Sequence, residues 1–262
     1  MIKAMSTAAT GMVAQQTNID NIANNLANVN TTGFKKGRVE FQDILYQNFR
    51  RAGTATAIGT TVPVSLDVGY GTRPVATTRE FSPGSVTLTQ NPTDLAIAGN
   101  GFFQVRMPDG TTGYTRDGSF KLSADGQVVT ADGFVVTPEI TVPQDATDLA
   151  VGIDGQVNVL VVGSDTPQQI GQVELARFVN PAGLSAVGHN LYLETVASGA
   201  PITGTPGSNG LGAIDQGQLE TSNVSVVDEM VNMIMAQRAY EINSKVITAS
   251  DEMSQTINNL KR

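Results

Sequence analysis

The chain has 262 residues, 40% of them hydrophobic, a net charge of −8, no Cys and no Trp. That length holds one large β domain or two smaller units. The charge leaves no basic patch to neutralise phosphates, which excludes nucleic acid as a partner, and the absence of Cys excludes disulfides, thiol nucleophiles and Cys-based zinc sites.

No apolar run approaches the roughly 18 residues of a membrane span. The opening MIKAMSTAATGMVAQQ has one Lys and no uninterrupted apolar run of about seven, so it does not read as a secretory signal peptide. These features suit a cytoplasmic protein, and equally one exported unfolded by a route without a cleaved signal.

Residues 1–32 carry a heptad pattern. Met5, Met12, Ile19 and Leu26 fill one position; Met1, Ala8, Gln15, Ile22 and Val29 fill the other, with Gln15 the polar member that sets register at some cost in stability. Several Asn between Asn18 and Asn30 lower helix propensity, so this helix is expected to order only when its stripe is covered. A surface helix of the same domain is the other reading. Thr31-Thr32-Gly33-Phe34 is expected to end it, with Gly33 at the left-handed cap.

Residues 34–50 mix basic and aromatic residues without clear period. Residues 51–69, rich in Thr, Ala and Gly with Pro63 inside, read as an extended arm or loop with room for one strand. Residues 70–220 read as β, with strands expected at 75–78, 85–88, 95–98, 102–107, 111–115, 119–122, 127–130, 134–137, 156–162, 172–178 and 191–194. Asp-Gly pairs at Asp109, Asp117, Asp125, Asp132 and Asp154 offer the positive φ of tight hairpins, which predicts a meander. Residues 197–212 read as a long Gly/Pro/Ser loop.

From 221 to 262 the chain has neither Pro nor Gly. Ser225 followed by Asp228 and Glu229 marks a helix start, and Lys261 and Arg262 sit where the dipole favours cations. Apolar residues at Val231, Ile234, Ala239, Ile242, Val246, Ala249, Met253 and Leu260 keep a 3/4 spacing with one stutter and a polar Thr256. A helix this long, about 50 Å, needs a partner. The expected fold is therefore α+β: long terminal helices (1–33 and 221–262) pairing as a coiled coil within one molecule or between neighbours, an extended arm (34–70), and a central all-β body (71–220).

No constellation of side chains reads as an active site. His189 is the single histidine, so neither a two-His metal site nor a Ser–His pair elsewhere is available. The Asp-Gly pairs lack the calcium-loop pattern, and Gly99-Asn100-Gly101 precedes a strand, not a phosphate-binding helix. Asp228/Glu229 and Asp251/Glu252 are expected to face away from the apolar stripe. No catalytic residue, cofactor or metal is assigned.

Four stretches resemble the bacterial flagellar axial proteins of the rod and hook: AQQTNIDNIANNLANVNTTGFK at the start, ETSNVSVVDEMVNMIMAQRAYEINSKVI at the end, and RPVATTREFSPGSVTLTQNPTDLAIAGNGFFQV and YTRDGSFKLSADGQVVTADGFVV between them. Length and the arm sequence TTVPVSLDVGYGTRPVA resemble the distal rod type within that group; a proximal rod or short hook-like component is the alternative. A secreted β-rich enzyme or binding protein with a coiled-coil handle is the competing reading from another class. The resemblance implies a non-enzymatic subunit of a hollow helical polymer that carries torque from motor to hook. Implied partners are further copies of itself, the proximal rod and hook proteins, the P and L rings and the flagellar type III export apparatus. The implied location is the basal-body rod crossing the periplasm. The polymerisation interface is then expected along Met5, Met12, Ile19, Ile22 and Leu26 of the first helix. Val231, Ile234, Ile242, Val246, Met253 and Leu260 are its counterparts on the last.

Overall fold

In the computed structural model residues 2–57, 60–163 and 166–260 are described. The chain divides into two compact units. Unit 1 joins Met1–Leu26, Gly37–Thr78 and Ser225–Arg262; unit 2 joins Ala27–Lys36 and Arg79–Val224.

Unit 1 holds both helices, α1 (Ile2–Ala27) and α2 (Val226–Leu260). At 35 residues α2 is about 52 Å long. Ser225 caps it as expected: its carbonyl accepts from the Glu229 amide at 3.0 Å, and its hydroxyl lies 3.5 Å from the Asp228 amide. Met1 and the C-terminal pair Lys261-Arg262 lie outside the described residues. α1 stops six residues before Gly33. Thr31 instead bonds back to the Asn28 carbonyl, a local turn that Asn and Thr favour over helix. Gly33 does take positive φ, 65°, but its amide donates to the Glu220 carbonyl and not to the end of α1.

The segment expected as an irregular arm is a nested β ribbon. Strand β1 (Gly37–Asp43) pairs with β6 (Thr72–Arg79), β2 (Tyr46–Arg50) with β5 (Leu66–Gly69), and β3 (Ala55–Ala57) with β4 (Thr60–Thr61). Ile44 donating to Gly71, and Gly53 and Val62 bonding across to Val62 and Thr54, carry the ladder through the gaps. Alternation was hidden because both faces carry exposed apolar groups, among them Leu45, Tyr46, Phe49, Val64 and Leu66.

Unit 2 contains β7 (Val86–Leu88), β8 (Leu95–Ala98), β9 (Phe102–Arg106), β10 (Thr112–Thr115), β11 (Lys121–Leu122), β12 (Val128–Val129), β13 (Val135–Thr137), β14 (Ala146–Val151), β15 (Gln156–Val161), β16 (Gln168–Gln172), β17 (Leu175–Arg177), β18 (Ser185–Gly188), β19 (Leu191–Leu193), β20 (Ile202–Gly204), β21 (Ala213–Gln216) and β22 (Gln218–Glu220). A nine-stranded sheet runs β11-β12-β13-β9-β10-β19-β18, with β17 sharing one edge of β9 and β20 on β17. A second sheet is β14-β15-β16, and β21 and β22 return to pair with β8 and β7.

β9 is the keel of unit 2, because its successive residues serve opposite faces. Phe103 packs edge-on against Phe120 at 5.0 Å, in a cluster with Val105, Leu175 and Ile214; Phe102 faces Phe178 and Tyr192 in a second cluster. Four of the five Asp-Gly pairs turn hairpins, with Gly110, Gly126, Gly133 and Gly155 at positive φ. Asp117-Gly118 does not. There the Leu95 amide bonds to the Gly118 carbonyl, and a Cβ on Gly118 would meet the Leu95 carbonyl oxygen at 1.6 Å, so glycine is required by the close approach of backbone.

The simple meander is broken where β13 returns to β9 in place of a later strand. The supposed loop 197–212 contains β20, and the single strand expected over 172–178 divides into the end of β16 and β17. β14 was missed because only its half-buried residues alternate, with Asp148 on the exposed side.

Candidate assembly interface

Within unit 1 the two helices meet through polar and small side chains. Asn25, 2% exposed, accepts from the Gly37 amide at 2.8 Å and donates to the Gly37 carbonyl at 2.9 Å and the Glu229 carboxylate at 3.2 Å. Fourteen residues further along each helix in opposite directions, a Cβ on Gly11 would lie 3.0 Å from the Asn243 side chain. The two contacts give one antiparallel register, with residue numbers summing to 254.

The covered face of α2 follows that register. Glu229, Ala236 and Ser250 are buried, and Met233, Asn243, Ile247 and Ser254 half-buried, a 4/3 rhythm typical of a helix seam. Small residues there allow the backbones to approach. Glu229 faces away from the apolar stripe as expected, but into the covered seam, with Asn25 as its donor. On α1, Ala8, Ala14, Ile22 and Asn25 are buried, while Met5, Met12, Ile19 and Leu26 are half-buried.

The apolar stripe of α2 lies elsewhere. Val231, Ile234, Ile242, Val246, Met253 and Leu260 are all exposed, Ile242 by 61% and Leu260 by 81%. Within the chain Val246 borders the first helix at Lys3, Ala4, Thr7 and Ala8, whereas Ile242, Ala249 and Met253 are left exposed. The stripe begins two residues after Glu229, about 200° round the helix from the seam, and so it faces outward. Met230, Met235 and Ile257 widen it.

The ribbon lies along α1. Asn21 and Asn25 hold Gly37, the Thr10 hydroxyl accepts from the Thr72 amide at 3.4 Å, and Lys3 bonds Gln47 while lying over the rings of Phe49 and Tyr70 at 4.7 and 5.6 Å. Lys3 thereby shields aromatic faces by cation–π contact.

Charge is divided unequally. Unit 1 has nine acidic and nine basic residues; unit 2 has 15 and seven, and so carries the whole net charge of −8. Among the described residues no group of three or more His, Asp or Glu side chains is placed to hold a metal. His189 sits at φ 53° in the turn between β18 and β19, paired with Asp132 at 3.2 Å on the surface. No described helix is long and apolar enough to cross a membrane.

The outward face of α2 thus exposes contiguous apolar side chains, of the kind that mark interaction surfaces. Three family models match the chain: the flagella basal body rod protein family over residues 5–35, the flagellar hook protein FlgE/F/G D1 domain over 96–159, and the flagellar basal body rod FlgEFG protein C-terminal family over 215–260. They define the class, a structural subunit of the flagellar rod and hook group.

Full-length relatives sharpen this. The flagellar basal-body rod protein FlgG of Borreliella burgdorferi is 52% identical with both chains wholly covered; that of Caulobacter vibrioides is 48% identical over 99% of this chain and all of its own. The FlgG of Bacillus subtilis is 41% identical, again over the whole of both. The chain belongs to the family of flagellar basal-body rod proteins FlgG, a structural and not an enzymatic family.

Proposed function

We propose that this protein is the subunit of the distal rod, polymerising helically into a hollow drive shaft that transmits torque from the motor to the hook. The observation that carries the proposal is the exposed apolar stripe of α2, from Val231 through Ile234, Ile242, Val246 and Met253 to Leu260. So much apolar surface on one helix is the mark of an interface awaiting a partner. The FlgG relatives supply the setting, since they match this chain from end to end.

In the assembled state the seam residues close α1 on α2 as an antiparallel coiled coil. The outward stripe, with the half-buried Met5, Met12, Ile19 and Leu26 at its border, meets neighbouring copies in an inner tube, whereas Ile22, expected at that interface, is already buried within the chain. The contact is heterologous, because a helical polymer needs two different patches that do not close into a ring. The ribbon bridges adjacent subunits and adds stiffness. Proximal rod and hook proteins cap the two ends of the segment, the P and L rings surround it in the periplasm, and the flagellar type III apparatus delivers the chain unfolded.

Ile242→Asp tests the interface. Ile242 is exposed, so the monomer should keep its stability within about 0.5 kcal/mol. Burying an unpaired carboxylate between subunits costs several kcal/mol, so filaments should not form. Normal filaments from this variant, seen by electron microscopy, would remove the stripe from the interface.

A further inference from the structure

Unit 2 buries three charged side chains together: Lys35 and Glu220 at 0% and 2% side-chain exposure, and Arg116 at 2%. Lys35 Nζ donates to Glu220 Oε1 at 2.6 Å and to the Ser82 carbonyl at 2.7 Å. Arg116 donates to Glu220 Oε2 at 3.3 Å and to the Gly99 carbonyl at 2.6 Å. The Gly84 amide donates to Glu220 Oε1 at 2.8 Å. One carboxylate therefore answers two buried cations and a backbone donor. Burial pushes the Lys35 ammonium below its ordinary value against the pull of Glu220, and nearby Arg116 pushes it the same way; burial lowers Arg116 too.

Apart from Arg116 and Gly99, which lie inside unit 2, these residues come from the segments by which the chain enters and leaves it. Lys35 is on the leg 27–36, Ser82 and Gly84 on the leg that follows β6, and Glu220 on the leg that precedes α2. Backbone bonds tie the same legs: Gly33 to the Glu220 carbonyl, Asn223 to the Phe34 carbonyl, and Lys36 to the Asn223 side chain at 2.8 Å.

We infer that Glu220 is an electrostatic latch that makes the docking of the two helix-bearing legs of unit 2 mutually dependent. Before residue 220 arrives, seating Lys35 would place two cations in a dry volume with only carbonyl oxygens as partners, and such a charge is strongly disfavoured. Before Lys35 seats, Glu220 faces only Arg116 and one amide, and the backbone bonds to Gly33 and Phe34 are unmade. Neither leg closes alone, so residues 27–36, which follow α1, and 220–224, which precede α2, are fixed in one step. The latch operates within a single chain and does not depend on polymerisation.

Hydrogen exchange on the full-length chain tests it. In Glu220→Gln, which keeps shape but removes the charge, the amides of Gly33, Lys36, Gly84 and Asn223 should lose protection together by about 100-fold or more, while Val105 and Tyr114 keep theirs. In Lys35→Met, where Glu220 and Arg116 remain as a balanced pair, the same amides should change by less than about tenfold. The double variant Lys35→Met/Glu220→Gln should be better protected than Glu220→Gln alone, because one buried cation is gone. Loss of protection in only one leg, or a double variant no better than Glu220→Gln, overturns the latch. If Glu220→Gln does not fold at all, the double variant decides by folding or failing to fold.

Discussion

Asn25 joins α1, the ribbon and α2 through one amide, and Asn25→Ala removes all three bonds at once. Asn21 still donates to the Gly37 carbonyl at 2.7 Å, so that acceptor keeps a partner. The Gly37 amide and the buried Glu229 carboxylate each lose their Asn25 partner, and a buried group left unpaired costs about 1–3 kcal/mol. Gly37 is only half-buried, which favours the low end for its share. Together the loss should be about 2–4 kcal/mol. If subunits add only with unit 1 closed, as proposed above, the critical concentration for assembly should rise by about 30- to 1,000-fold. Sedimentation of polymer against monomer over a dilution series measures it directly. Asn25→Asp should be as damaging or worse, since it sets a second carboxylate beside Glu229, and Glu229→Gln should then restore part of the loss. A critical concentration within threefold of the parent for Asn25→Ala would refute the view that this contact closes the helix pair.

Two further outcomes are open to measurement. The buried residues of α2 are Glu229, Ala236 and Ser250, which remove little apolar area from water for a helix of 35 residues. Hydrogen exchange on dilute monomer should therefore find residues 2–27 and 226–260 unprotected, and strong protection there would sink coupled folding and assembly. Unit 2 carries the net charge, so neighbouring subunits repel; raising the ionic strength from 0.01 to 0.15 M shortens the screening length from about 30 to about 8 Å and should promote assembly. Weaker assembly at higher salt, followed by light scattering, would mean that ion pairs hold the interface.

Both helices, the start of α2 at Ser225 and most strands through β13 were legible, because they rest on period and turn chemistry that act locally. The register between the helices was not. Its signal on α2 is Ala236, Asn243 and Ser250, small or polar residues seven apart, and a search for apolar periodicity passes over them in favour of Ile242 and Val246. The ribbon escaped for a related reason: alternation reports one buried face, and strands such as β2 and β5 leave large apolar groups exposed. Lys35, Arg116 and Glu220 lie 185 residues apart at the extremes, and nothing local to any of them announces burial.

The order in which the chain visits its units has a consequence for cutting it. The path runs from unit 1 to unit 2, back to unit 1, again to unit 2 and finally to unit 1. A protease that nicks one peptide bond therefore cannot liberate either unit intact, and trimming from either terminus erodes the same unit. Residues 225–262 of unit 1 follow the whole of unit 2 in the chain, so in any N-to-C delivery unit 1 is completed only after unit 2.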